Sequence, residues 1–431
     1  MVKSVLSVVD PWFDIIYLML RIHPAVVLSL IVALLGYSSI RADTPVLLTT
    51  YNPPGYYTIH TDENLDITRE IWLHMNFVAQ SYEERLHDIF GGSVTQKLPF
   101  YIFTNPADYY AAGAPAGSAG VFMINYVYGD QRLMAIGGDQ ITHEMWHILQ
   151  HEGFHQFTYA MIGGYLPPWA NEGLAEYFGD GLFTGDNFMT GWIDPDRLAR
   201  LKYEIQNNMF KSIHDMRELS YDQWNDVLMG VNYDQAWSMI YFLAWANHQR
   251  YAQPFTQYLI LFHNGMPSDE AWDHIFGANS DADFQRLWRQ YWLNMPDDPT
   301  AQLFAKAQTA TLTSFLARAY MNGQRFSGMQ EFIQDATNGS LKLFQLPSML
   351  WLPNHMLQTA LENAADVGEW GMEFDPQKQP CIICQMPDGT RLVGRFELGD
   401  NRINAVIVTV VPSDQAQKPS DPLETVGNSG G

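Results

Sequence analysis

The chain has 431 residues, 47% of them apolar and 16% charged, with 24 basic side chains against 47 acidic ones and a net charge of -23. The apolar share excludes a mainly disordered or coiled-coil protein. The acidic balance leaves no basic stripe to follow a phosphate backbone, which excludes nucleic acid as a partner. Two cysteines exclude a disulfide-built scaffold and any multi-cysteine zinc site, so a bound metal has to rest on histidine and carboxylate.

Near the amino terminus, Ala25 to Tyr37 is a 13-residue apolar run preceded by Arg21 and His23. It is shorter than the roughly 20 residues a membrane span needs. Ser38 to Ala42 follows as a small-residue exit. This is the layout of a signal peptide over 1–42. Cleavage after Ala42 gives an exported chain, periplasmic or extracellular; an uncleaved segment gives a membrane anchor, the one membrane contact expected. The extra apolar patch Trp12–Leu20 suits a translation start at Met19, which leaves a signal of normal size.

Residues 43–136 read as an α/β unit. Val46–Thr49 and Tyr56–Thr61 predict short strands around the Pro53-Pro54-Gly55 turn. Ile67, Ile71, Met75, Val78, Tyr82, Leu86 and their neighbours recur at helical spacing and predict one long helix over 64–90, with Asp62 or Asn64 as cap and Gly91-Gly92 as stop. Leu98–Phe103 predicts a buried strand, and Asn105-Pro106 opens a short helix. Val121–Tyr128 and Leu133–Ile136 predict a hairpin turning at Gly129-Asp130, with an antiparallel edge.

Residues 137–295 read as mainly helical, with breaks at Gly163-Gly164, Pro167-Pro168 and Asp180–Gly185, and 296–345 as a helical extension. Strand alternation returns at Cys381–Gln385, Arg391–Glu397 and Asn404–Val411, so 346–412 reads as a small β module. The stretch 413–431 is rich in Pro, Ser and Gly and reads as a disordered tail. Cys381 and Cys384 point to opposite faces of one strand and read as buried thiols. The fold class is α+β.

The chemistry concentrates in the helical part. His143, His147, His151 and His155 follow at four-residue steps on one predicted helix, each step about 400° of turn, so adjacent members share a face. They make two H-E-x-x-H patterns. Two imidazoles at i and i+4 offer nitrogens to one tetrahedral zinc ion, and the Glu after the first His lies beside the ion's open position. The metal lowers the pKa of bound water from about 15.7 toward about 7, so the Glu can take its proton at neutral pH and later protonate a leaving amine.

A third ligand must come from elsewhere. Downstream, Pro167-Pro168 starts a helix whose Glu172 and Glu176 share a face. If the histidine helix ends near Met161, it overshoots His155 by about 9 Å. The loop spans up to about 24 Å, so Glu172 returns easily to the level of His151 and His155. From His147 the overshoot is about 21 Å and needs a nearly taut loop. His151, His155 and Glu172 are therefore the expected ligands of a single zinc ion, with Glu152 as base. Glu176, one turn on, is placed to accept the second N–H of a ligand histidine. His143, Glu144 and His147 read as solvated or cleft-facing first turns, with a second metal, a substrate contact or use of His147 as ligand as sharper alternatives.

His151-Glu-Gly-Phe-His-Gln-Phe157 followed by Trp169-Ala-Asn-Glu-Gly-Leu-Ala-Glu-Tyr-Phe178 resembles the gluzincin metallopeptidases, and most closely the bacterial peptidase-MA-like group. The resemblance implies a zinc site of two His and one Glu in a thermolysin-like, zincin-type fold acting on peptide or protein substrates. Tyr233-Asp-Gln-Ala, 61 positions after Glu172, is similar to the Y-E-K-G helix of aminopeptidase-N-like gluzincins, and implies that Tyr233 stabilises the tetrahedral intermediate. Gly120 to Asn125 lacks the Gly-x-Met-x-Asn signal of aminopeptidases. The expected function is an exported zinc metallopeptidase. The alternatives are an inactive peptidase-like binding protein of the cell envelope and a metallohydrolase of a non-peptide amide or ester.

Overall fold

The computed structural model describes residues 46–125, 130–138, 141–164, 166–224, 229–343 and 350–411. The expected signal or anchor, the Met19 start, the Gly129 end of the hairpin turn and the carboxy-terminal tail lie outside the described residues. None of the described helices is long and apolar enough to cross a membrane.

The chain is α+β: a mixed amino-terminal sheet, a mostly helical middle and a small carboxy-terminal antiparallel sheet. The first sheet has the order β1-β2-β3-β5-β4, formed by β1 (Thr49–Tyr51), β2 (Tyr57–Thr61), β3 (Leu98–Phe103), β4 (Gly120–Asn125) and β5 (Asp130–Ile136). β2, β3 and β5 run parallel, while β1 and β4 pair antiparallel at the two edges. The first strand thus begins three residues later than Val46, and β4 is the antiparallel edge.

Between β2 and β3 lies α1 (Leu65–Phe90). Asn64 caps it by accepting the N–H groups of Asp66 and Ile67, and Gly91 ends it in the left-handed region at φ 69°. The short α2 (Pro106–Ala111) packs under the far face of the sheet, where Tyr109 meets Phe103 and Met134. On the near face, Tyr57, Ile59, Phe100, Ile102 and Leu133 share one core with α1 and with α3 (His143–Ile162). Thr142 caps α3 through Met145 N–H, and Gly163 closes it at φ 67°.

A five-residue connection, 163–167, leads to α4 (Pro168–Gly179), with Pro168 at its first turn. A small hairpin, β6 (Leu182–Phe183) and β7 (Phe188–Met189), follows, its first strand inside the predicted break Asp180–Gly185 and its second beyond it. Next come α5 (Pro195–Gln206), α6 (Met229–Gln249), α7 (Ala252–His263), α8 (Ser268–Phe276) and α9 (Asp281–Leu293). α4 crosses α6 very closely: a Cβ on Gly173 would lie 2.6 Å from the Ala236 carbonyl oxygen.

The carboxy-terminal part holds the expected small antiparallel sheet, with one helix inside 346–412 that the sequence reading did not place. Its sheet, in the order β11-β10-β9-β8, is covered by helices: α10 (Ala301–Met321), α11 (Met329–Thr337) and α12 (Asn354–Val367). Leu312, Phe315, Leu316 and Leu357 of these helices share a core with Ile382 of β9 (Pro380–Gln385), Phe396 of β10 (Arg391–Gly399) and Val406 of β11 (Arg402–Val411). The edge strand β8 (Glu369–Phe374) was missed in the sequence, although Trp370, Met372 and Phe374 alternate with Glu369, Gly371 and Glu373. Cys381 and Cys384 are buried free thiols that fall in separate apolar clusters.

Candidate metal centre

α3 and α4 face each other in opposite directions: as the contacting residue number falls along α3 it rises along α4. His155 Nε2 lies 3.3 Å from Glu172 Oε2 and 3.0 Å from His151 Nε2, and His151 Nε2 lies 3.3 Å from the same Glu172 oxygen. The three expected ligands therefore converge on one point. Bonds of about 2.0–2.1 Å in a tetrahedral zinc site put its ligand atoms about 3.3 Å apart. The spacing, the two imidazole nitrogens and the single carboxylate oxygen fit that ion. Burial works against charge here, yet the neighbouring imidazoles bring the Glu172 carboxyl down to about 2, so it stays ionised as a ligand must.

Around this triangle sits a supporting layer. Glu176 Oε1 is 3.1 Å from His151 Nδ1, the ring nitrogen turned away from the cluster. Asn171 places its amide 3.0 Å from His155 Nδ1 and 2.6 Å from the Tyr221 hydroxyl. If Nε2 of His155 offers its lone pair, Nδ1 carries the proton, and the Asn171 atom facing it is the amide oxygen.

Glu176 Oε2 in turn meets Arg197 of α5 at 2.7 Å. Arg197 is only 6% exposed, contacts Asp180 at 2.9 Å and Asp234 at 3.0 Å, and lies 4.3 Å over the Trp237 ring. One guanidinium thus gathers three buried carboxylates. Arg197, Asp180 and Asp234 were not read from the sequence, since nothing local marks an arginine on an amphipathic helix as buried. Gln150 was missed too. Its amide NH2 donates to the carbonyls of Phe178, Gly179 and Gly181, and its oxygen accepts from His74 Nε2 at 2.7 Å. It fastens α1, α3 and the end of α4 together.

His147 stays outside the triangle. Its Nε2 is 3.2 Å from Glu176 Oε2 and its Nδ1 is 3.0 Å from Asp180 Oδ1. Burial lowers its pKa, but hydrogen bonds to Asp180 and Glu176 outweigh that and lift it to about 9. The neighbouring carboxylates lift the His151 imidazole well above its ordinary value in the same way, although burial opposes it. His147, His151 and Glu176 also offer atoms within 4.8 Å of one another, but in this second set Glu176 Oε2 is already paired with Arg197. His143 meets Trp192 edge-on at 5.6 Å, and Glu144 is exposed.

A cavity of about 230 Å³ opens on the cluster, lined by Gly120, His151, Glu152, Glu176 and Tyr233. Glu152 sits beside His151 on α3, and its Oε2 accepts the Phe122 N–H of β4 at 2.8 Å. That N–H belongs to the outer edge of β4, whose other edge pairs with β5. Gly120 allows the approach, since a Cβ there would be 2.3 Å from Ile148 Cγ2. Tyr233, in the first turns of α6, has its ring centre 6.0 Å from that of His151. Burial and the Glu172 charge both push its phenol pKa up, so the hydroxyl keeps its proton. A separate cavity of about 440 Å³, bounded by the Glu70–His355 ion pair at 2.7 Å, reaches His143 and His147 from the other side and touches none of the three converging ligands.

A family model described as "Protein of unknown function (DUF1570)" matches residues 147–258. That span holds the three converging residues, Glu152, Glu176, Arg197 and Tyr233. No curated protein matches the chain.

Proposed function

We propose that the chain is an exported, zinc-dependent metallopeptidase of the gluzincin type, with a zincin-like catalytic part. The reading rests above all on one observation: His151 Nε2, His155 Nε2 and Glu172 Oε2 lie within 3.0–3.3 Å of one another beside an open cavity that also holds Glu152 and Tyr233. Export is supported by the Ala25–Tyr37 run and its small-residue exit.

In this reading His151, His155 and Glu172 hold one zinc ion, which supplies a lowered water pKa and polarisation of the substrate carbonyl. Glu152 takes the proton from the attacking water and returns it to the leaving amine. The Phe122 N–H steadies the Glu152 carboxylate through Oε2. Tyr233 donates a hydrogen bond to the carbonyl oxygen as charge develops there. Asn171 fixes the His155 ring, and Glu176 faces His151 Nδ1 at 3.1 Å. The outer edge of β4 favours an extended peptide as substrate, because its backbone can add a strand there.

Metal analysis of the purified chain, combined with a fluorogenic peptide library with and without chelator, tests the proposal. The expected result is one zinc per chain and cleavage that a chelator abolishes. A metal-free preparation that takes up no zinc sinks it.

A further inference from the structure

A larger cavity, about 950 Å³, adjoins the metal cluster and shares His147, Glu176 and Tyr233 with the smaller one. One face of α5 lines it. Asp194 caps that helix, and Arg197, Arg200 and Glu204 follow at spacings of three and four, which keeps them on one stripe. Six carboxylates line this cavity against two guanidinium groups.

Five of the six are accounted for. Glu176, Asp180 and Asp234 meet Arg197, and Asp234 also takes Arg200. Asp194 accepts the Asp196 N–H at the start of α5. Glu144 is exposed to water. Glu204 is left. It is 6% exposed, and its Oε2 is buried without a hydrogen-bond partner among the described residues. The nearest guanidinium on its own helix, Arg200, gives its Nε and Nη2 to the two oxygens of Asp234. Burial, and then the charge of Asp234, push the Glu204 carboxyl up to about 7. Arg200 and Arg197 act on Glu204 only through space, so its Oε2 lacks a donor, and a cation that reaches it gains a charge-assisted hydrogen bond. Glu204 belongs to no group of three or more converging ligand atoms among the described residues, which favours an organic cation over a metal ion.

We infer that this cavity is a substrate subsite for a cationic group of a peptide, a guanidinium or an ammonium, with Glu204 as its anchoring anion. The inference rests on the peptidase reading for its placement beside the scissile bond. It makes the enzyme selective for peptides that carry a basic residue or a free amino terminus at that subsite.

Three small probes test it by calorimetric titration of the purified chain. Nα-acetyl-argininamide carries only the side-chain cation, norleucinamide only the α-ammonium, and Nα-acetyl-norleucinamide neither. At least one cationic probe should bind about tenfold more tightly than the neutral one, and the difference should vanish in Glu204→Gln. The cation that binds identifies the source. The comparison among probes in the unmodified protein needs no variant, and the circular dichroism of Glu204→Gln checks that it is folded. Equal binding of all three probes overturns the inference, as does an unchanged preference in a folded Glu204→Gln. Peptide cleavage without a basic preference removes the subsite and leaves the peptidase; cation binding that needs Glu204, without any cleavage, removes the peptidase and leaves the subsite.

Discussion

Arg197 Nη2 lies 2.7 Å from Glu176 Oε2, and through that contact a guanidinium on α5 is joined to His151 on α3. The cluster is therefore held by charge from a helix that contributes no ligand. Arg197→Met would leave Glu176, Asp180 and Asp234 facing each other with Arg200 as their one remaining guanidinium. Breaking a buried pair in this way costs about 3–5 kcal/mol. Chemical unfolding of Arg197→Met should show a loss of that size. Arg197→Lys should recover only part, because an ammonium lacks the planar fork that serves three acceptors and stacks on Trp237. An unchanged unfolding midpoint in both variants would contradict this role.

Asn171 should matter to metal affinity rather than to folding. Replacing it with Leu removes the acceptor that sets the tautomer and tilt of His155. The zinc dissociation constant, read by competition with a chromophoric chelator, is expected to rise about 10–100-fold. Wild-type affinity in Asn171→Leu would mean that His155 does not ligate in this orientation.

Glu152→Gln separates binding from chemistry. The amide still accepts the Phe122 N–H, so β4 stays in place. Zinc content should remain at one per chain while the hydrolysis rate falls by about 100-fold or more. Full activity in this variant would take Glu152 out of the reaction.

Gly173→Ala tests the helix crossing beside Glu172. The new methyl would meet the Ala236 carbonyl oxygen at 2.6 Å, and backbone cannot rotate aside as a side chain can. Overpacking of this kind costs about 1–3 kcal/mol. The stability loss should come with weaker zinc binding, because α4 is pushed off α6 at the residue next to the ligand. Wild-type values of both would show that the helices part freely.

His74 makes stability depend on pH. It is buried, stacks on Trp146 at 3.8 Å and presents an N–H to Gln150. Burial lowers its pKa to about 3, partly offset by the Gln150 hydrogen bond. A base whose folded pKa lies below its unfolded value of about 6.5 stabilises the fold fully above pH 6.5. That stabilisation is lost as pH falls from 6.5 toward 3, at about 1.4 kcal/mol per unit. His74→Gln does not titrate, so the stability gap between wild type and variant should narrow by about 2–3 kcal/mol between pH 6.5 and 4.5. A constant gap would show that His74 is charged in the folded chain.

Much of this site was readable before any coordinates. The four-residue histidine step put four imidazoles on α3, and the loop length matched Glu172 to His151 and His155 rather than to His147. Asn64, Gly91 and Gly163 announced helix ends through cap chemistry that depends on neighbours in sequence. Arg197 and Asp234 were unreadable because their pairing spans α5 and α6, 37 residues apart. The Phe122 N–H was unreadable because every residue but proline carries one, and only tertiary placement aims it at Glu152. β8 and α12 were legible but missed: Trp370, Met372 and Phe374 alternate along β8, and Leu357, Ala360 and Ala364 recur at helical spacing along α12.

The helices that bring the donor groups together are the same ones that fill the main core, with Phe154, Phe157, Trp169 and Ala175 completely shielded on them. The three donor groups are thus ordered by the core that their helices fill. On the proposed reading, capture of zinc should require no disorder-to-order transition, in contrast to small domains that take shape only when loaded. Far-ultraviolet dichroism should stay flat as the metal is titrated in, and the energy of coordination should appear undiminished as affinity.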